Sequence, residues 1–485
     1  MSCSAGVCTP KAAIAILNVT DLANMLAVGD VKVVSDSTAK DIDFKAPLSW
    51  TSTSRLTLDS YRFITVEQPV TVVGTGALTL NSGQGDSSGA IAYVKKGHFT
   101  FWDLSSNVVV GGTTYSLVNS VSMLASTVAS DSFGNYALAN DYDASLDGTY
   151  SKSPIVEFYG YAEGLGNTIS NIIMRDSTAG DNVGLFAFTG QESQIAHFHL
   201  AGARVTGGSG THVGALVGQA YGTLDHDSVS GGGVKTADSG YAGALVGDVH
   251  GGYLRYCEAS ANVSSGHSSR AGGLVGNAAG YGILYSAASG DVTIVDGMAG
   301  GLAGDGSSEA SYSHASGNVT ATGGNSAVGG LEGISYEIEN SYATGEITAG
   351  ENSKAGGLVG SAGTTRTSYA AGSVTVMGPK GVAGGLVGQT DGPTVNSYAT
   401  GAVKAKDAGG LIGLYISSAY IYGSYSTGKV TGGSNSGGLA GFAQNGAGDM
   451  TSSYWDLETS RISDPSQAAG NIANYPGARA HQRTI

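Results

Sequence analysis

The sequence predicts an all-β fold, a right-handed parallel β-helix with about 28 residues in each coil of its repeat region. Three observations lead to this prediction. A pentad rich in glycine recurs at a nearly constant spacing, a Gly-x-Val or Gly-x-Ile element follows most pentads, and the repeat region lacks a sustained 3.6-residue apolar period. Short strands at a fixed period cannot each bury a face alone, but stacked coils share one continuous core.

The pentad is of the Gly-Gly-Leu-Val-Gly type and places ten leucines at intervals of 25 to 31 residues. These leucines are Leu185, Leu216, Leu245, Leu274, Leu302, Leu331, Leu358, Leu386, Leu411 and Leu439. Successive coils are separated by one strand spacing, about 4.8 Å, so the leucines form a column. We expect this column to point inward. A leucine-rich repeat would need several leucines per repeat, and a propeller blade would need a longer repeat with four strands.

The residue after each leucine forms a second column. Its members are Phe186, Val217, Val246, Val275, Ala303, Glu332, Val359, Val387, Ile412 and Ala440. Neighbouring residues of a strand face opposite ways, and one position holds the charged residue Glu332. We therefore expect this second column on the less buried face. Each repeat is expected to hold two or three short strands.

A tyrosine recurs before the Gly-x-Val elements. It stands three residues before the glycine at Tyr342, Tyr369, Tyr398 and Tyr425, and five residues before it at Tyr285 and Tyr312. Because three and five differ by two, both sets are expected on one strand face. Two interpretations stay open: stacked aromatic packing along the coils, and a solvent-facing strip that grips sugar rings.

The chain divides into four predicted regions. Residues 1–110 form irregular β-helical coils with an N-terminal cap, including a short helix near Thr20 to Leu26. Residues 111–180 are a non-repeat lead-in or lateral excursion, with a weak helical period in 116–129. Residues 181–460 hold the ten repeat coils, and residues 461–485 are a loose terminal tail.

Composition narrows the classes of partner. The 485 residues include 79 glycines, and 23 basic against 38 acidic side chains leave a net charge of −15. An acidic surface repels phosphate backbones, so we predict no nucleic-acid ligand. No apolar run is long enough for a membrane-spanning helix, and the sequence begins without a recognisable signal peptide. The charge-poor composition favours a segment of an exported precursor over a cytoplasmic protein.

Three cysteines and two polar groups are the candidates for chemistry. Cys3 and Cys8 are spaced to close a small disulfide loop, a pairing the sequence leaves open, and Cys257 reads as a buried apolar filler. Asp141, Asp143 and Asp147 could hold Ca²⁺ through oxygen ligands, or could be turn-forming aspartates. Asp225-His226-Asp227 could meet His197 and Arg255 from neighbouring coils, with Asp248 and His250 nearby; solvated side chains are the favoured interpretation.

The pentads with Ser-Tyr-Ala-Thr-Gly-x-Val resemble the GLUG repeat of large bacterial surface proteins, especially filamentous-haemagglutinin-like adhesins exported by two-partner secretion. Segments 135–145 and 164–171 are similar to the lead-in of such repeats, 50–58 to their upstream coils, and 453–460 to their terminator. The resemblance covers nearly the whole chain. It implies a secreted or surface-displayed β-helical passenger whose usual role is adhesion.

We therefore expect an extracellular adhesin or surface-fibre segment that mediates attachment without catalysis. Its partners would be a glycan or protein on a host or neighbouring cell, and an outer-membrane transporter during secretion. No cofactor is expected apart from Ca²⁺, and end-to-end self-association through an open β-helix end stays open. A structural stalk is the main alternative, and a polysaccharide-active β-helix enzyme is a lesser one.

Overall fold

The structure is a computed structural model that describes residues 1–416, 419–444 and 448–481. It is an all-β solenoid of parallel stacked coils, about 17 turns of about 28 residues, with 48% strand and 5% helix. The predicted β-helical class is confirmed. In the described part of the chain, none of the helices has the length and apolar content needed to cross a membrane.

The chain forms two compact units, and each unit is built from several separate segments of the chain. The first unit comprises 1–146, 158–170 and 194–199, and the second comprises 147–157, 171–193 and 200–485. The described helical segments are α1 (Val19–Leu26), α2 (Val121–Ser130), α3 (Leu457–Ser460) and the 3₁₀ turn Ala144–Asp147. Strands Ile155–Phe158 and His199–Ala201 contain residues of both units.

The first unit stacks short strands in parallel above an N-terminal hairpin. The hairpin pairs Ser2–Ser4 with Val7–Thr9. One sheet then contains Val31–Val34, Arg55–Asp59, Ala77–Asn81, Val108–Val110, Thr113–Val118, Asn135–Leu138, Tyr161–Glu163 and Gln194–Ala196. Three smaller groups are Ile42–Phe44 with Ile64–Val66 and Ile91–Tyr93, Leu48–Trp50 with Val70–Val72 and Phe99–Phe101, and Tyr142–Asp143 with Thr168–Ser170. Alternating burial in these strands gives a core of aliphatic and aromatic side chains.

Both helices predicted in the front of the chain are present. In α1, the Asn18 side chain accepts a hydrogen bond from the backbone N–H of Thr20, and Leu22 and Leu26 are buried. Thr113–Val118 runs antiparallel to Val108–Val110, and α2 follows before the chain rejoins the sheet in parallel at Asn135–Leu138. The excursion expected in 111–180 is therefore a strand and a helix inserted between two coils.

The second unit repeats up to five strand positions per coil, more than the two or three expected. We name them S1 to S5 in chain order. S1 contains Asn182–Val183, His212–Val213, Tyr241–Gly243, Ser269–Gly272, Gly297–Gly300, Ala327–Gly329, Lys354–Gly356, Val382–Gly384, Asp407–Gly409 and Asn435–Gly437. S2 contains Phe186–Thr189, Val217–Ala220, Val246–Val249, Val275–Ala278, Ala303–Ser311, Glu332–Glu339, Val359–Arg366, Val387–Thr390, Ile412–Tyr415 and Ala440–Ala443.

S3 is a separate strand in six coils and a continuation of the long S2 strands in three. The separate strands are Thr223–Asp225, Tyr253–Arg255, Gly282–Leu284, Thr394–Val395, Ile421–Tyr422 and Met450–Thr451. S4 contains Ser228–Ser230, Glu258–Ala259, Ala287–Ala288, His314–Ala315, Tyr342–Ala343, Tyr369–Ala370, Tyr398–Ala399, Tyr425–Ser426, Ser453–Asp456 and Ala478–His481. S5 contains Thr149–Tyr150, Ile173–Asp176, Arg204–Gly207, Gly233–Lys235, Asn262–Ser265, Val292–Ile294, Val319–Ala321, Ile347–Ala349, Val374–Val376, Val403–Lys404 and Val430–Thr431.

The terminal region does not simply leave the coil pattern. Ala478–His481 pairs in parallel with Ser453–Asp456, which adds a strand to S4. The expectation of a loose tail is therefore wrong for these residues, because their backbone continues the S4 ladder. Residues 482–485, including Arg483, lie outside the described residues.

The pentad is the bend between S1 and S2, and it buries two adjacent columns. All ten leucines are fully buried, as predicted. The second column, Phe186, Val217, Val246, Val275, Ala303, Glu332, Val359, Val387, Ile412 and Ala440, is buried as well. Its assignment to the less buried face was wrong because the leucine precedes the S2 strand, and strand alternation does not apply across a bend.

Glycine in the pentad is explained by close backbone approach. A Cβ on Gly300 would lie 2.0 Å from the carbonyl oxygen of Ala303 in the same bend. A Cβ on Gly301 would lie 2.1 Å from the carbonyl oxygen of Gly330 in the next coil. Both positions therefore exclude any larger residue at this bend and this coil spacing.

Glu332 places a carboxyl group inside this apolar column. It pairs in register with Ala303 on one side and Val359 on the other, and its exposed fraction is 1%. A Cβ on Gly306 would lie 2.1 Å from its Oε2, so Gly306 makes room for the carboxyl group. Burial raises the pKa of Glu332 well above its ordinary value, and the protonated form is the one that fits this site.

We predict that Glu332→Val raises stability at neutral pH. A carboxyl group whose pKa is raised by folding keeps its proton where the unfolded chain has lost it. The contribution of Glu332 to the free energy of unfolding therefore declines as pH rises above its ordinary pKa of 4.5. The decline is up to about 1.4 kcal/mol per pH unit until the pKa of the folded state is reached. Urea unfolding between pH 5 and pH 8 measures this slope.

Glu332→Val should flatten the decline, and Glu332→Gln should flatten it without restoring apolar packing. Glu346→Gln, which changes an exposed carboxyl group in the same coil, is the matched control and should leave the slope unchanged. An unaltered slope in Glu332→Val would show that Glu332 is ionised in the folded chain.

Candidate functional site

The tyrosines of the Ser-Tyr-Ala motif form a stack on the outside of S4. Strand alternation turns the serine and alanine inward, where both are buried, and the tyrosine outward. The stack contains His314, Tyr342, Tyr369, Tyr398 and Tyr425. Its successive ring centroids are 4.7, 4.9, 5.0 and 4.9 Å apart, and its rings are parallel to within 8°. We call this set the S4 stack.

A second stack precedes S4 by two residues and contains His226, Tyr256, Tyr285 and Tyr312. Its centroid distances are 4.6, 5.0 and 5.0 Å. All four residues have left-handed backbone, with φ between 51° and 59°, which is rare for bulky side chains. We call this set the corner stack, since it lies at the turn between S3 and S4.

The six predicted tyrosines therefore do not share one strand face. His314 pairs in register with Tyr342, which aligns Tyr312 with Asn340 of the next coil. The prediction of one shared face was wrong because Tyr285 and Tyr312 lie in a turn, where the two-residue period of a strand does not hold. The S4 stack begins at His314, in the same coil in which the corner stack ends at Tyr312.

Both stacks are at the surface. Tyr285, Tyr312 and Tyr425 are 48%, 54% and 40% exposed. A separation near 5 Å leaves no space for a sugar between two rings, so within a stack the faces are closed and the edges and hydroxyls remain accessible. Burial raises the pKa of Tyr369, and the phenols of Tyr342 and Tyr398 raise it further, so Tyr369 is a hydroxyl donor at neutral pH.

The second unit contains a polar network that was not predicted from the sequence. It is formed by side chains from S1 and S2. At its centre, the Asp248 carboxylate is fully buried. Its Oδ1 accepts from Asn277 Nδ2 at 2.6 Å, and its Oδ2 accepts from Gln219 Nε2 at 3.1 Å. His250 Nε2 lies 2.8 Å from Oδ2. Gln219, Asp248 and Asn277 are register partners in consecutive coils, so their 29-residue spacing was the signal that could have found them.

Arg270 extends the network to the next coil. Its Nε lies 3.2 Å from Asp305 Oδ2, and its Nη1 donates to the Tyr241 hydroxyl at 2.6 Å. Its guanidinium covers the Tyr241 ring at 4.7 Å, and His212 stacks on that ring at 4.8 Å. Burial lowers the pKa of His212 despite the nearby Asp248, so this imidazole is neutral at pH 7. The His250 side chain is 40% exposed and is held by the buried Asp248 carboxylate.

Within the second unit, part of the patch expected around His226 is present. Asp225 joins His226 and Arg255, with Oδ1 2.7 Å from His226 Nδ1 and Oδ2 2.6 Å from Arg255 Nη2. His197 is buried within the first unit, where its Nδ1 lies 3.0 Å from Glu163 Oε1 and its Nε2 lies 3.0 Å from the carbonyl oxygen of Ile91.

The three aspartates proposed for Ca²⁺ each accept a hydrogen bond. Asp141 accepts from the N–H of Thr168, Asp143 from the N–H of Ser145, and Asp147 from the hydroxyl of Tyr150. Within the described residues, no group of three or more His, Cys, Asp or Glu side chains is arranged to hold a metal ion. Calcium binding stays a prediction.

Cys3 and Cys8 face each other across the N-terminal hairpin and are joined by a disulfide bond. Cys257 is a buried free thiol, and burial raises its pKa well above the ordinary value. Its backbone N–H donates to Ser286 Oγ at 3.1 Å, which places Cys257 in the inward column that serine occupies in later coils. It is thus a member of a polar column as well as a buried filler.

No protein-family model matches the chain, and no curated protein matches it.

We predict that Asp248→Ala destabilises the second unit by about 3 kcal/mol, because the buried Asn277 and the half-buried Gln219 lose their acceptor. Asp225→Ala is the matched control and should cost less than about 1 kcal/mol, since the side chain of its partner Arg255 is 40% exposed. Chemical denaturation of the two variants measures the difference. Equal losses would show that the Asp248 network adds nothing beyond surface ion pairing.

Proposed function

We propose that the chain is a non-catalytic attachment segment of a bacterial surface fibre, related to the GLUG-repeat adhesins and exported by two-partner secretion. The observation that supports this proposal most directly is the S4 stack. It presents the same outward group, a phenol edge and hydroxyl, at a repeat of about 5 Å along consecutive coils. The Cys3 to Cys8 disulfide agrees with an oxidising extracellular location.

The partner that suits this surface is a polymer with repeated hydrogen-bonding groups. Each phenol hydroxyl can donate and accept one hydrogen bond, and a row of them can bind several units of one ligand at once. A surface glycan or an extended protein segment of a host or neighbouring cell has such groups. Closed ring faces argue for hydrogen bonding at the ring edges over stacking of sugars on the rings.

A structural stalk is the second candidate, and one observation favours it. Within each stack, the rings of neighbouring coils pack against each other. This aromatic contact stabilises the pairing of coils without any ligand. In that case the second unit would act as a spacer that carries another part of the fibre, and its surface would bind no ligand. End-to-end association through the last coil would suit either role.

Binding of the purified chain to a broad glycan array and to host matrix proteins tests the proposal. We expect saturable binding, with and without Ca²⁺, and no cleaved glycan in the product analysis. Replacing Tyr342, Tyr369, Tyr398 and Tyr425 together by phenylalanine should weaken binding at least tenfold, because the rings still stack but the hydroxyls are lost.

The matched control replaces four exposed tyrosines outside the S4 stack, Tyr281, Tyr336, Tyr420 and Tyr422, by phenylalanine. This control should bind like the unmodified chain. Equal binding by both variants would contradict the assignment of the S4 stack as the contact surface. Cleavage of a glycan would contradict the non-catalytic role. A lack of binding to every glycan and matrix protein would favour the structural stalk.

A further inference from the structure

We propose that the S4 stack is a site of oxidative modification, at which a haem peroxidase with hydrogen peroxide couples tyrosines of adjacent coils into dityrosine. The coupled pairs are Tyr342 with Tyr369, Tyr369 with Tyr398, and Tyr398 with Tyr425. The product is a covalent bond between neighbouring coils on the outside of the fold. This inference does not depend on ligand binding by the chain.

The geometry brings identical rings into register. Each pair belongs to S4 strands that are paired residue to residue, and the rings are parallel to within 4°. The centroid distances of 4.9 to 5.0 Å match the spacing of the strands themselves, about 4.8 Å. Each ring is therefore close to a translated copy of the next, and every ortho carbon lies about one strand spacing from its counterpart.

The rings can also reach bonding distance. The backbone positions are held by the S4 ladder, while the tyrosine side chains are half-buried or, at Tyr425, 40% exposed. Rotation about the bonds from Cα to the ring brings two neighbouring ortho carbons together without moving the strands. The inward serine and alanine on either side keep the backbone of each tyrosine in place.

The chemistry balances with peroxide as the oxidant. Each phenol loses one electron and one proton and becomes a tyrosyl radical. The two radicals form a bond between ortho carbons, and the two ortho hydrogens move to the phenolic oxygens as the rings regain aromaticity. The pair has then lost two hydrogen atoms, and one hydrogen peroxide has been reduced to two waters.

Proximity within a stack distinguishes these tyrosines from Tyr336, which is more exposed. Tyr336 is 71% exposed, yet within the described part of the chain it has no stacked aromatic partner. If exposure alone governed coupling, Tyr336 would be the preferred site and its products would join separate molecules. If stacking governs coupling, the products join adjacent coils of one molecule.

The experiment treats the full chain, in dilute solution and without ligand, with a haem peroxidase and limiting hydrogen peroxide. Dityrosine fluorescence and mass spectrometry of a digest are the measurements. We expect peptide pairs that are two hydrogens lighter than their sum and that join neighbouring S4 strands. Their yield per molecule should be unchanged when the protein is diluted tenfold.

Tyr369→Phe keeps an aromatic ring in the stack and removes two of the three couplings. It should lower the yield of coupled S4 peptides, because the only S4 pair it leaves is Tyr398 with Tyr425. Tyr336→Phe is the matched control and should leave the yield unchanged. Before oxidation, both variants should unfold at the same temperature as the unsubstituted chain, which shows that the fold is intact.

Three results would overturn the proposal. These are an equal yield in Tyr369→Phe, coupling that falls in proportion to protein concentration, and oxidation that stops at single tyrosines without coupled peptides. None of them bears on attachment, since the assay contains no glycan or matrix protein.

Discussion

The constraint on which the structure depends is the register between coils. Each coil of the second unit pairs its backbone with the next, so residues one repeat apart face the same environment. The inward serine column shows the consequence most clearly. The N–H of Ser313 donates to Ser341 Oγ, and the N–H of Ser341 donates to Ser368 Oγ, each at 3.1 Å. A buried hydroxyl in one coil therefore requires a similar group in the next, and Cys257 is the one thiol among them.

Much of the fold follows from the sequence because register turns a linear repeat into columns. The leucines of the pentad were correctly placed in the core, and strands within the irregular coils predicted for residues 1–110 pair in parallel. Prediction failed at turns, where backbone angles leave the strand region. The residue after each leucine is buried because the chain bends there, and Tyr312 leaves the S4 stack because its φ is 51°. Sequence periodicity carries no signal for either effect.

The candidate sites differ in how far sequence could reach them. The S4 stack is one motif repeated, so its existence was predictable, although its closed ring faces were not. The network around Asp248 combines different residue types from consecutive coils, such as Gln219 and Asn277, and no repeated motif marks it. The same register thus produces two different arrangements. Late coils carry a uniform row of phenols, and early coils carry one buried carboxylate, Asp248, with different kinds of partner.

Amide hydrogen exchange measured by mass spectrometry tests the central claim of register most directly. The account predicts that the amides of Ser313, Ser341, Ser368 and Ser397, which donate to a buried serine hydroxyl of the next coil, are protected once in every repeat. Amides in the exposed turns between coils, such as those of Gly378 and Lys380, should exchange much faster. Protection that fails to recur with the repeat, or serine amides that exchange as fast as those turns, would contradict the stacked and registered coils described here.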